Sequence, residues 1–254
     1  MHAFRLTVTA VLVASVSVAV GVADAQTDSA LLSPLQIAAA CALPPSLEGP
    51  PSNPRRLVGS QDTLPRALFG DRDLLVIDGG TSQGVLLGQQ FFVRRQNQFG
   101  ASDSSHARDS RTLGWIRVVA VNESTAIAAV DHICSGMMKT DYLEPFTAPA
   151  LPAGADRDEV SGEPDFTSLG RVVAGNEERT SGGAGDFMLI DRGTDQGVTP
   201  GSRFAVYRDV GVAGLPLASV GEAIVITTNA TIALTRITRA RDAIFTGDYV
   251  VPRK

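Results

Sequence analysis

Three side chains in this sequence could act together as a nucleophilic or redox group. Cys41 and Cys134 are the two cysteines of the 254 residues. His132 stands two positions before Cys134, and alternate residues of a strand share a face, so imidazole and thiol can point the same way. A cysteine beside a histidine base is a nucleophile when a third group orients the base. No such third residue stands out, and a cysteine spent in a disulfide cannot attack anything. His106 lies in a polar stretch near Asp109 and reads as exposed surface. Asp191-Arg192-Gly193-Thr194-Asp195-Gln196-Gly197 has the outline of a calcium loop. Such a loop needs oxygen ligands at its first, third and fifth positions and a glutamate at the twelfth. Here the third is Gly193 and the twelfth is Ser202. With only His106 and His132 beyond the N-terminal leader, a multi-histidine metal site has no ligands to draw on. There is no Gly-x-Ser-x-Gly elbow and no P-loop. The residue types thus predict no catalytic residue, no metal and no cofactor.

The elements that must position these residues are duplicated. IDGGTSQGVLLGQQFFVRR (77–95) recurs as IDRGTDQGVTPGSRFAVYR (190–208), identical at 11 of 19 positions without a gap. The offset is 190 − 77 = 113; downstream it becomes 221 − 114 = 107, where Gly114, Val118, Asn122, Ala126, Asp141, Tyr142 and Pro145 meet Gly221, Val225, Asn229, Ala233, Asp248, Tyr249 and Pro252. A repeat of this kind governs the architecture. Leu74–Ile77 and Phe187–Ile190 are short apolar runs between turn signals and read as buried strands. Gly80, Gly84 and Gly88, repeated as Gly193, Gly197 and Gly201, mark a tight connection, with Val85 and Val198 as core plugs. Phe91–Val93 and Phe204–Tyr207 are the next strands. Polar loops Gln96–Thr112 and Asp209–Ser219 follow, then strands Trp115–Val121 and Ala223–Thr227. Asn122-Glu123 and Asn229-Ala230 are hairpin turns, which accounts for these asparagines without glycosylation. Thr125–Val130 and Ile232–Ile237 return, and Asp141–Phe146 and Asp248–Pro252 finish each unit. The expectation is an all-β chain of two tandem small barrels or sandwiches, 55–146 and 170–254, joined by a linker at 147–169 rich in Pro, Gly, Ala and Asp. An open β edge would then be a plausible contact for a partner.

The N-terminus carries an address. Arg5, the apolar run Leu6–Val20 and Ala23-Asp24-Ala25 form a secretory signal over 1–25. The run falls short of the roughly 20 apolar residues that a membrane span needs. Residues 26–54 are an extension in which Ser33-Pro34 caps a short helix through Cys41. In an oxidising compartment two cysteines invite pairing. The second unit has Arg241 in the place of Cys134, so the expected Cys41–Cys134 bond is a tether added to one copy. Two separate buried thiols, or pairing between molecules, are the competing arrangements. The net charge is −5, and the 22 basic residues are scattered, so no stripe suits a nucleic-acid backbone.

The pattern I-D-x-G-T-x-Q-G-V-x-x-G-x-x-F-x-V-x-R, the G-x-x-x-V-x-x-x-N hairpin and the final D-Y-x-x-P resemble bacterial envelope repeats. They look like the β-rich repeats that follow LysM modules in some peptidoglycan-associated proteins. They are similar as well to the C-terminal domain of flagellar assembly protein T and, more distantly, to the β domains of the rod-shape-determining protein C family. The chain has no LysM module, so peptidoglycan binding does not carry over, and no catalytic residue of these families falls on matching positions. The resemblance implies an exported, periplasmic or envelope-associated interaction or assembly module, whose partner is an envelope protein or a surface polymer. A cell-wall hydrolase and a purely structural domain of an envelope complex are the alternatives.

Overall fold

A computed structural model of the chain describes residues 32–42, 51–96, 110–160, 162–176 and 179–254. The expected signal segment, Gln26–Leu31, residues 43–50 and the 97–109 part of the polar loop, with His106, lie outside the described residues. One helix, α1 (Pro34–Cys41), precedes β1 (Arg55–Ser60), β2 (Leu68–Phe69), β3 (Leu74–Asp78), β4 (Gln90–Gln96), β5 (Ser110–Val121), β6 (Thr125–Ile133), β7 (Met137–Met138) and β8 (Tyr142–Pro145). The second set is β9 (Gly170–Gly175), β10 (Ser181–Gly182), β11 (Phe187–Ile190), β12 (Arg203–Arg208), β13 (Ala218–Thr228), β14 (Ala233–Ala240), β15 (Ile244–Phe245) and β16 (Tyr249–Pro252).

Each set closes into a six-stranded barrel, in the order β1-β3-β6-β5-β4-β8 and, cyclically, β9-β11-β14-β13-β12-β16. Copy two repeats copy one strand for strand. The registers agree too: Trp115 faces His132 as Glu222 faces Arg239, and Leu74 faces Ala129 as Phe187 faces Arg236. Closure removes the sheet edge, so the expected open edge does not exist in either barrel. Each barrel carries a satellite ribbon, β2 with β7 and β10 with β15. Strands two residues long give no periodic signal, so these ribbons were not foreseen. The long strands overrun their expected bounds. β5 begins at Ser110 and β13 at Ala218, which shortens both loops.

The repeated motif proves to be a structural device. Asp78 accepts from the backbone N–H of Arg56, and Asp191 accepts from that of Arg171 at 2.6 Å. Gln83 Oε1 accepts from Gly80 N, and Gln196 Oε1 from Gly193 N, both at 2.8 Å. Gly80 has an ordinary extended φ of −135°, so its smallness matters, not its freedom. A Cβ there would lie 2.3 Å from Asn122 O and 2.5 Å from Glu123 O; at Gly193 it would lie 2.4 Å from Asn229 O. The turn is pressed onto the neighbouring hairpin. Gly84 and Gly197 instead sit left-handed at φ 76° and 74°. Val85 and Val198 enter the cores as expected, 1% and 6% exposed. At the far end of the motif, Arg95 Nε donates to Asp141 Oδ1 at 2.8 Å and Arg208 Nε to Asp248 Oδ1 at 2.9 Å. Each aspartate also takes a backbone N–H, from Met138 and Phe245. The Asp248 hydrogen bond holds the Arg208 guanidinium pKa above its usual value.

Leu74–Ile77 departs from its sequence reading. β11 is buried along its whole length, but in β3 Leu74 is exposed and burial alternates. The two copies share an interior and differ in what covers their outsides.

Candidate functional site

The residues singled out for chemistry converge on α1. Cys41 and Cys134 form a disulfide with Cα atoms 5.6 Å apart, so the expected tether is present and the competing arrangements are not. His132 Nδ1 or Nε2 lies within 4.8 Å of both sulfurs, a Cys–His–Cys cluster of partly buried groups. Its sulfurs are bonded to each other, so they offer neither a thiolate nucleophile nor two thiolate ligands. The His132 ring stacks on Trp115 with centroids 4.5 Å apart and planes 24° apart. That places it as a packing group beside the bridge. In the calcium-like loop Asp191 Oδ1 accepts from Arg171 N and Gln196 Oε1 from Gly193 N, while Thr194 and Asp195 donate their backbone N–H groups to the hairpin, so the loop is pinned as a turn.

The helix that carries Cys41 is built by local chemistry. Ser33 Oγ accepts from Gln36 N at 3.2 Å, Gln36 Oε1 accepts from Ser33 N at 3.0 Å, and Pro34 occupies the first turn. This reciprocal cap satisfies two orphan donors. Eight residues are still far too few for a helix to persist alone in water. α1 is held from two sides. Ala40, Ile37 and Cys41 pack on Phe92, Trp115 and Phe146 of the first barrel. Ala39, Ala42 and Leu35 pack on Phe187, Leu189, Ile224 and Ile226 of the second. Alanines at the contact let both barrels approach closely. The C-cap carbonyl of Ala42 accepts from Thr112 Oγ1 at 3.2 Å, and Arg94 Nη1 donates to that hydroxyl at 2.6 Å.

The aromatic seat is absent from copy two. At offsets 113 and 107, Phe92, Trp115, His132 and Phe146 correspond to Ala205, Glu222, Arg239 and Arg253. In the second barrel that face holds ion pairs. Arg253 grips Glu222 through two bonds of 2.6 and 2.8 Å, both side chains 11% exposed, and Glu222 keeps the guanidinium pKa raised. The expected linker covers it: Arg239 Nε meets Asp158 at 3.0 Å, and Arg253 Nη1 donates to Gly162 O at 2.7 Å. Pro164 bridges to Arg253, and Ala155 is 2% exposed. Residues 147–169 therefore include a strap that belongs to the fold. Sequence reasoning missed the seat, although the copy-to-copy difference at these four positions was readable.

A cleft of about 470 Å³ opens beside the helix, between Ala39, Phe92, the 147–152 segment and Ile226. Its lining is almost wholly apolar. The one charged group, Arg94, is already bonded to Glu144 at 2.6 Å. No protein-family model matches this chain, and no curated protein matches it. Among the described residues no helix is long and apolar enough to cross a membrane.

Proposed function

We propose that this protein is an exported, non-catalytic module of the cell envelope that binds another envelope protein or a surface polymer. One observation carries the reading: the duplicated barrels keep their interiors and turns while their outer faces have diverged. In the second barrel β11 and β13 are covered by α1 and the strap. In the first, Leu74 on β3 and Val119 on β5 are exposed instead. A duplicated scaffold whose interiors are kept while its outer faces diverge suits binding better than chemistry. The side chains suited to nucleophilic work are consumed in packing and in the disulfide. That disulfide, which holds both cysteines of the chain, suits the oxidising surroundings that export provides.

The test uses immobilised mature protein, challenged with native envelope extract and, separately, with purified peptidoglycan. The expected result is saturable retention of a defined envelope component and no release of soluble muropeptides. Muropeptide release by a stably folded protein, abolished by His132→Ala, would replace this reading with a hydrolase.

A further inference from the structure

Three groups that serve one tether in the oxidised chain become a ligand set once that tether is opened. The sulfurs of Cys41 and Cys134 and a ring nitrogen of His132 all lie within 4.8 Å of one another. An ion held by two thiolates at about 2.3 Å keeps them roughly 4 Å apart, and an imidazole nitrogen binds at about 2.0–2.1 Å. The Cα atoms of Cys41 and Cys134 are 5.6 Å apart, so side-chain rotation supplies that span. The His132 ring is stacked on Trp115. Stacking uses the face of the ring, whereas the nitrogen that would bind an ion does so in the ring plane. Packing, as well as the bond, assembles the cluster: Cys41 comes from α1 and Cys134 lies just past β6, yet both pack against Ala40, Phe92 and Trp115. All three groups are partly buried rather than enclosed, so a reductant and an ion can reach them. The set belongs to the first copy alone. At offset 107, His132 and Cys134 correspond to Arg239 and Arg241, two cations that would repel a metal ion.

We propose that reduction of the Cys41–Cys134 bond turns this cluster into a binding site for monovalent copper, held by both thiolates and the His132 imidazole. The reductant is a dithiol. In the exchange the Cys41–Cys134 bond breaks, a disulfide forms in the dithiol, and two electrons and two protons pass to the cysteines. Both thiols then release their protons to solvent as two Cu–S bonds and one Cu–N bond form, and the copper keeps its oxidation state. Soft thiolate ligands select Cu(I) and Zn2+. A closed zinc site takes four protein ligands in a tetrahedron, and among the described residues this cluster has three. The surrounding Ala40, Phe92, Trp115 and Phe146 are apolar, a poor setting for a water as fourth ligand. Three ligands, two of them thiolates, complete the shell of Cu(I). The chelate then ties α1 to the first barrel through the same two sulfurs. This inference goes beyond the interaction-module reading and does not depend on it.

The test uses the intact chain, reduced anaerobically with dithiothreitol, desalted and titrated with Cu(I) supplied as its bicinchoninate complex. The reduced protein should withdraw one copper per chain, show a thiolate-to-copper band in the ultraviolet, and return its Trp115 emission toward the oxidised wavelength. The oxidised protein should withdraw none. His132→Phe keeps an aromatic ring against Trp115 and removes the nitrogens. It should weaken copper binding by about tenfold or more, since losing even a group behind a ligand costs about 10–100-fold. X-ray absorption of the copper-loaded wild type decides the same point without a variant: two sulfurs and one nitrogen are expected, and sulfur ligands alone would overturn the role of His132. No uptake by the reduced protein, equal uptake by the oxidised one, or unchanged affinity in a folded His132→Phe would overturn the proposal. So would Zn2+ that displaces bound copper at equal concentration, since the site would then belong to zinc.

Discussion

At the scale of single residues, the repeat motif separates two uses of glycine that look alike in sequence. Gly80 is small because a hairpin backbone lies against it, whereas Gly84 is glycine because its φ is 76° with nothing within 4 Å of a would-be Cβ. Gly80→Ala must push Asn122 and Glu123 aside and should cost at least about 2–3 kcal/mol, in the range of overpacking. Gly84→Ala adds only the left-handed penalty, about 1 kcal/mol. Urea denaturation of the pair checks the order, and the same order should hold for Gly193 and Gly197. A second residue-scale expectation concerns acid. The hydrogen bond from Lys254, aided by the Thr167 hydroxyl and N–H, lowers the Asp165 pKa to about 2. Its folded value lies below its unfolded one. This contribution is therefore present above the ordinary aspartate range and lost as pH falls through about 2. Its partner Lys254 is three-quarters exposed, so the effect on stability is slight, but a carboxyl-carbon titration should place its midpoint there, and Lys254→Met should raise it.

At the scale of elements, the helix was the most legible part and its seat the least. Ser33, Pro34 and Gln36 are neighbours in sequence, so capping chemistry is visible locally. The seat is assembled from Phe92, Trp115 and Phe146 on β4, β5 and just past β8, and only the fold brings them within 4.6 to 6.5 Å of one another. Strand existence was readable from apolar runs. Their ends were not, because β5 and β13 extend as bulged ribbons past the apolar run. Trp115 is the chain's single tryptophan and is 6% exposed. Its fluorescence therefore reports the helix without labels. Reduction of the disulfide, or Cys41→Ser, opens a link spanning 93 positions. The chain-entropy model assigns such a link about 4–5 kcal/mol. The expected outcome is a red-shifted Trp115 emission and a lower urea midpoint. An unchanged spectrum after full reduction would show that packing alone holds α1.

At the scale of the whole molecule, the two barrels are coupled through one short helix and one strap. α1 supplies Ala40 to one barrel and Ala39 to the other, adjacent residues on opposite walls. Calorimetry of the oxidised protein should therefore show one cooperative transition, and the Cys41→Ser/Cys134→Ser double variant two. A split transition in the oxidised protein would place the coupling elsewhere. The shared architecture was legible because Gly80, Val85, Asp141 and their counterparts serve each barrel's interior and turns, which duplication preserves. The outer faces were opaque because their residues answer to different neighbours. Leu74 and Phe187 are both large and apolar in sequence, yet Leu74 is exposed while Phe187 is buried in a cluster that includes Ala39, Leu151 and Ala155.

Barrel closure also sets an order of events in time. β1 pairs with β8, and β9 pairs with β16, so neither barrel can close before its last strand has emerged. Contacts so distant along the chain form slowly. Cys134 lies beyond β6, which means that the tether forms only once most of the first barrel is available. The second wall of the helix seat needs β11, β13 and β14, which come later still. α1 heads the described chain, yet it is the last element to be fully seated. Until the second barrel is complete, Ala39 and Leu35 face water, and the folding chain carries an apolar helix whose final neighbours do not yet exist.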